Sequence, residues 1–116
     1  MEIELNDGTV KEVDPNVTAL TLFKLQKEKV IDGDFLKGFL NQNGPDLDPI
    51  SVLQGVYVAY RQANPKEFMK FEEFLENYSL DIETDMPIYF AVVSKQAKKS
   101  FQKNFAARTG SSNGKK

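Results

Sequence analysis

The chain contains no cysteine and no histidine. The first absence excludes disulfides, thiol nucleophiles and zinc–thiolate sites. The second removes the usual neutral-pH acid/base and the commonest metal ligand. Carboxylate-only catalysis of the glycosidase kind needs a larger cleft than 116 residues readily enclose. No apolar run approaches the roughly 20 residues of a membrane span, and Met1 leads straight into alternating acids, unlike a secretory signal. These absences lead us to expect a soluble, intracellular, non-enzymatic protein with no catalytic residues, no cofactor and no metal.

What is present is a charge split. From Lys95 to Lys116 there are seven basic residues and no acid. All 17 acids lie in residues 1–94 beside eight of the 15 bases, so that body carries −9 and the tail +7. Two electrostatic ends suit a molecule that meets a partner, including another copy of itself. The apolar fraction of 41% and the 13 aromatic residues (nine Phe, four Tyr) support a packed core.

Residues 2–5 and 9–13 alternate polar and apolar around Asn6-Asp7-Gly8, where Asp-Gly supplies positive φ cheaply. A β-hairpin is predicted, with Ile3, Leu5, Val10 and Val13 offering a buried face despite a slip in the alternation. Asp14-Pro15-Asn16 breaks the strand, and a helix runs through Leu20, Phe23 and Lys27, capped by Asn16 or Thr18. After Asp32-Gly33-Asp34, a short helix carries Phe35, Phe39 and Leu40, with Gly38 a tolerated helix glycine.

Asp48-Pro49 is the clearest helix start, an N-cap acid followed by proline at N1. Leu53, Val56, Tyr57 and Tyr60 form a face widened by Val52 and Val58, so this helix is expected to be central and buried. Asn64-Pro65 repeats the signal before Phe68, Phe71, Phe74, Leu75 and Tyr78, an aromatic core stripe about 120° wide. Asp85-Met86-Pro87 resembles a third start, for a helix over residues 86–106. The acids Asp46, Asp48, Asp81, Glu83 and Asp85 lack the spacing of a calcium loop.

In that last helix Phe90, Val93, Ala97, Phe101 and Phe105 share an arc of about 120°, with Lys95, Lys99 and Lys103 nearly opposite and Lys98 beside the stripe. Ile88 to Val93 is apolar enough for core, whereas the second half is spaced for a groove. A stretch of 22 residues without an acid is unusual for a merely solvated face. The predicted partner-binding set is therefore Lys95, Lys98, Lys99, Phe101, Lys103 and Phe105. The alternative is that the phenylalanines complete the core and the lysines face water. A nucleic-acid-binding regulator using Lys98, Lys99, Lys103 and Arg108 is a competing reading, opposed by the acidic body and pI ≈ 5.2. A membrane-surface role is opposed by the small apolar arc.

The segments "MEIELNDGTVKEVD", "VTALTLFKLQKE" and "FEEFLENYSLDIE" leading to "PIYFAVVSKQAKKSFQ" together resemble the small tail assembly chaperones of long-tailed bacteriophages of Gram-positive bacteria. The resemblance spans most of residues 1–106. It implies a protein that binds the tape measure protein, keeps it soluble and promotes assembly of tail tube subunits around it. It further implies residence in the bacterial host cytoplasm and absence from the mature virion. A structural head–tail connector is the neighbouring alternative. The charge split adds an expectation of head-to-tail self-association that weakens with salt.

The expected architecture is mainly α, about five helices with an N-terminal β-hairpin. Residues 1–106 form one globular domain (1–13 hairpin, 17–106 helical). Residues 107–116 form a flexible basic tail.

Overall fold

The first 13 residues form the predicted hairpin in the computed structural model of the chain, which describes residues 1–33, 35 and 48–94. Strands β1 (Glu2–Glu4) and β2 (Val10–Glu12) pair antiparallel, with Ile3 opposite Lys11 and Glu4 opposite Val10. The loop is Asn6-Asp7-Gly8. The Gly8 N–H donates to the Leu5 carbonyl at 2.9 Å, and Gly8 takes φ 90°, where glycine meets no Cβ penalty.

This register corrects one expectation. Ile3, Leu5 and Val13 are buried, but Val10 is 55% exposed. Because side chains alternate with period two, the residue opposite the outward Glu4 must also face outward. The alternation slip in the sequence is thus settled in favour of Val13.

Helix α1 (Ala19–Lys27) follows, with Thr18 as N-cap, accepting from Thr21 N–H at 3.3 Å. Its end is a Schellman motif: the Lys29 N–H reaches the Gln26 carbonyl and the Val30 N–H the Leu25 carbonyl, at 3.0 and 2.9 Å. Leu25 and Val30, both buried, close the accompanying apolar contact. Lys29 sits at the left-handed position, φ 64°. Glycine is the residue that usually fills that place.

Asp32 then accepts from Phe35 N–H at 2.9 Å, bringing the buried Phe35 into a helical turn. Phe39, Leu40 and Gly38 of the expected short helix lie outside the described residues.

Helix α2 (Pro49–Ala63) is the central element, as expected. Asp48 caps it by accepting from Ile50 and Ser51 N–H at 3.1 and 3.3 Å, with Pro49 at N1. Every residue from Gly55 to Arg61 is buried, so neighbours surround most of its girth. Gln62 holds α1 against it, its Oε1 accepting from Thr18 N–H (2.9 Å) and Thr21 Oγ1 (2.6 Å). Gln54 donates to the Val30 carbonyl at 2.9 Å.

Asn64-Pro65 ends α2 instead of beginning the next helix. The Asn64 side-chain amide donates to the carbonyls of Tyr60 and Glu12, both at 2.9 Å, joining the helix end to β2. Residues 65–70 are non-helical. Within them, both backbone groups of Met69 are met by tyrosines: Tyr57 OH donates to the Met69 carbonyl (2.7 Å), and Met69 N–H to Tyr60 OH (2.9 Å). Two internal tyrosine hydroxyls thus supply at Met69 the hydrogen bonds a helix would have given it.

Helix α3 (Phe71–Asn77) carries the predicted aromatic stripe in shortened form. Phe74 is fully buried, with ring centroids 5.2 Å from Tyr57, 5.3 Å from Tyr60 and 5.0 Å from Tyr78, distances suited to edge and offset contacts. Phe68 lies outside both the helix and the core.

Helix α4 is described over residues 82–94 and starts one turn before the Asp85-Met86-Pro87 signal. Asp81 is its cap, accepting from Glu83 N–H at 3.2 Å, while Asp85 reaches back to accept from Asp81 N–H at 2.8 Å. Pro87 therefore falls inside the helix and removes one intrahelical bond. Ile88, Tyr89, Val92 and Val93 turn into the common core, as the apolar first half of this segment predicted. The fold is mainly α with an N-terminal hairpin. Among the described residues the helices are four, beside the turn at Phe35.

Candidate functional site

None of the six predicted partner-binding residues (Lys95, Lys98, Lys99, Phe101, Lys103 and Phe105) falls within the described residues, nor does Arg108. The start of their stripe does. Val93 is buried but Phe90 is 41% exposed, so α4 turns Ile88, Tyr89 and Val92 inward and the stripe's first phenylalanine toward water.

A second surface emerges where α1 passes the 65–70 connector. Its floor begins with an ion pair. Arg61, 6% exposed, donates from Nη1 and Nη2 to the two carboxylate oxygens of Glu28, at 2.7 and 2.9 Å. Nη1 also donates to Tyr57 OH at 3.2 Å. Phe68 covers the guanidinium, with Arg61 Cζ 3.5 Å from its ring centroid. A two-point pair capped by a ring is rigid.

Two adjoining hollows share Glu28 and Phe68 as lining. The larger, about 600 Å³, is completed by Lys29, Val30, Lys70, Phe71 and Glu72. The smaller, about 390 Å³, runs along α1 past Leu20, Thr21 and Lys24. Together they make a groove in which Leu20, Val30, Phe68 and Phe71 alternate with polar side chains such as Thr18, Thr21 and Gln62, and to which Lys24, Lys29 and Lys70 contribute. Leu20 is 60% exposed beside it and Phe68 38% exposed within it. On the same side of α1 as Leu20, Phe23 is 57% exposed with the Lys27 ammonium 5.4 Å from its ring centroid.

The Arg61 guanidinium, by hydrogen bond and charge, holds the Glu28 carboxyl below its ordinary value of 4.5, with Lys24 and Lys70 adding to the effect. A depressed carboxyl stabilises the fold above the unfolded-state value, and that contribution is lost as pH falls through the folded one. Glu28→Gln should therefore cost about 1 kcal/mol at neutral pH, kept modest because the carboxylate is partly solvated. Urea melts should show the gap from wild type closing below pH 4.5. A gap independent of pH would exclude the ion pair as its source.

Sequence reading missed this groove. The available signal was that α1 carries four large apolar residues, Leu20, Leu22, Phe23 and Leu25, more than one buried face of nine residues requires.

The acids near α4 are committed to folding. Asp81 and Asp85 bind the helix start, and Tyr78 OH donates to the buried Asp85 carboxylate. Among the described residues, no three acids converge as a metal site would require. Nor is any described helix long and apolar enough to cross a membrane. No family model, curated protein or solved structure matches the chain.

Proposed function

We propose that the chain is a non-enzymatic tail assembly chaperone of a long-tailed bacteriophage. In this reading it binds the tape measure protein, keeps it soluble in the bacterial host cytoplasm and promotes polymerisation of tail tube subunits around it. It then leaves the particle. One observation carries the reading beyond the sequence resemblance. The buried polar side chains Arg61 and Asp85 are spent on internal bonds, while Leu20, Phe23, Ile50, Phe68, Ile82 and Phe90 stay on the surface. That division suits a protein that covers apolar surface on another chain, because exposed large apolar groups gain by docking and contribute nothing to bond-making chemistry.

A tape measure protein exposes long apolar helical stripes that aggregate when left alone. Co-expression with a phage tape measure protein should move that protein into the soluble fraction and allow the two to co-purify. Purified virions should lack the chaperone. An insoluble tape measure protein in the presence of excess chain would defeat the proposal. Gel shift of duplex DNA at moderate salt would favour the nucleic-acid regulator, and presence in virions the connector.

A further inference from the structure

The geometry points to the groove between α1 and the Phe68–Phe71 wall as a docking site for an acidic amphipathic helix of a partner protein. Among the described residues, the charges facing it come from both walls. Lys24 and Lys29 stand on the α1 side, Lys70 and Glu72 on the other, while Glu28 and Arg61 neutralise each other in the floor. The rim is thus net positive on a body that carries −9. A local basic rim on an acidic molecule selects a partner bearing acids at that one place and repels acidic chains elsewhere.

The apolar lining fits a helix. Leu20 lines the smaller hollow, Val30 and Phe71 the larger, and Phe68 joins the two. The nine residues of α1 span about 13 Å at 1.5 Å per residue, enough for two turns of a docked helix with anchors at i, i+3 or i+4, and i+7. The chain's own residues 95–116, with seven bases and no acid, have the wrong sign for this rim. Nucleic acid has the right sign, but meets these apolar side chains and the field of a −9 body.

Lys29 adds an independent mark. It occupies the left-handed position of the α1 terminus, which glycine fills with less strain, and it lines the larger hollow. Backbone strain retained at a binding rim is expected where the side chain has work to do there. That the helix belongs to the tape measure protein rests on the functional reading above; the groove's preference for an acidic amphipathic helix does not.

The test uses the full chain and two fluorescent peptides of about 18 residues, long enough to hold helix. Both carry leucines at three- and four-residue spacing. One is flanked by glutamates and its twin by lysines. The glutamate peptide should bind at least about tenfold more tightly, and K24E/K29E/K70E should reverse that preference without loss of helical circular dichroism. Leu20→Ser should weaken binding with the fold intact.

Lys29→Gly should raise Tm by about 4 °C while weakening the glutamate peptide a few-fold, a trade that a purely structural lysine would not show. Equal binding of the two peptides, or binding untouched by the triple reversal, overturns the inference. So does a wild-type dimer that the reversal dissociates, since a second copy would then be the occupant. Failure of the functional reading is separable: peptide selectivity without tape measure capture keeps the groove and removes that partner. Capture that survives the triple reversal together with loss of peptide selectivity places the tape measure contact outside the groove and overturns that helix as its occupant.

Discussion

Gly55→Val should destabilise the protein by about 3 kcal/mol, and even Gly55→Ala by about 1–2 kcal/mol. Helix propensity alone points the other way, because alanine in a helix interior is favoured over glycine by about 1 kcal/mol. Packing decides the sign. A Cβ built on Gly55 would lie 2.5 Å from Tyr89 Cδ1, 3.4 Å from Cε1 and 3.5 Å from Cγ. Tyr89 is itself buried and rigid in its ring, so relief requires α2 and α4 to separate. Urea unfolding of the two variants would measure the effect. An alanine variant as stable as wild type would show that the helices do not meet as closely as this.

Asp85→Ala is expected to cost about 3 kcal/mol by removing the acceptor for two donors, the buried Tyr78 OH and the part-buried Asp81 N–H. Burial raises the Asp85 carboxyl above its ordinary 3.8, and the nearby Asp81 charge adds to this, while its hydrogen bonds from Tyr78 and Asp81 oppose the shift. Burial, with the hydrogen bond to Asp85, likewise pushes the Tyr78 hydroxyl well above its usual range. For a carboxyl raised in the folded state, the stabilising contribution is complete below 3.8 and is lost as pH rises through the folded value. Asp85→Asn keeps an acceptor and carries no charge. Its stability should fall within about 1 kcal/mol of wild type at neutral pH and should lack this rise toward acid. Parallel pH profiles for Asp85→Asn and wild type would refute the assignment.

Glu28 and Asp85 thus act with opposite sign on the acid side. Glu28 loses its stabilising charge as pH falls, whereas Asp85 is relieved of its buried charge. Comparing Glu28→Gln with Asp85→Asn separates contributions that partly cancel in wild type.

Local chemistry makes several elements legible in the sequence alone. Asp-Gly specifies the hairpin turn, Thr18 is a candidate cap, and Asp48-Pro49 marks the start of α2. The same short-range reading misjudges Asn64-Pro65 and Asp85-Met86-Pro87. Proline restricts helix starts but does not compel one, and tyrosine hydroxyls twelve and nine residues from Met69 stabilise an irregular connector instead. At α4, the exchange between Asp81 and Asp85 outweighs the proline signal and moves the start back a turn.

The site is less legible than the fold. Periodicity identifies that a helix has an apolar side, but Leu20, Leu22, Phe23 and Leu25 leave several choices of which side is buried. The groove joins Leu20 and Val30 to Phe68 and Phe71 across more than thirty residues of sequence. Nothing local marks Gly55 as the contact point for Tyr89 either; Gly38, the helix glycine that the sequence brings to notice, lies outside the described residues.

By itself, the sequence determined the mainly α class, the hairpin, the buried central helix and the segregation of a −9 body from a +7 tail, since each depends on composition or on residues within a few positions of one another. Only tertiary packing decided that Val10, Leu20 and Phe90 face water, that Arg61 is buried against Glu28, and that three lysines collect around a partly apolar groove. The physical reason is distance along the chain. Hydrogen bonds at caps and turns are satisfied locally, whereas burial and charge compensation are set by whichever distant segments close-packing brings together.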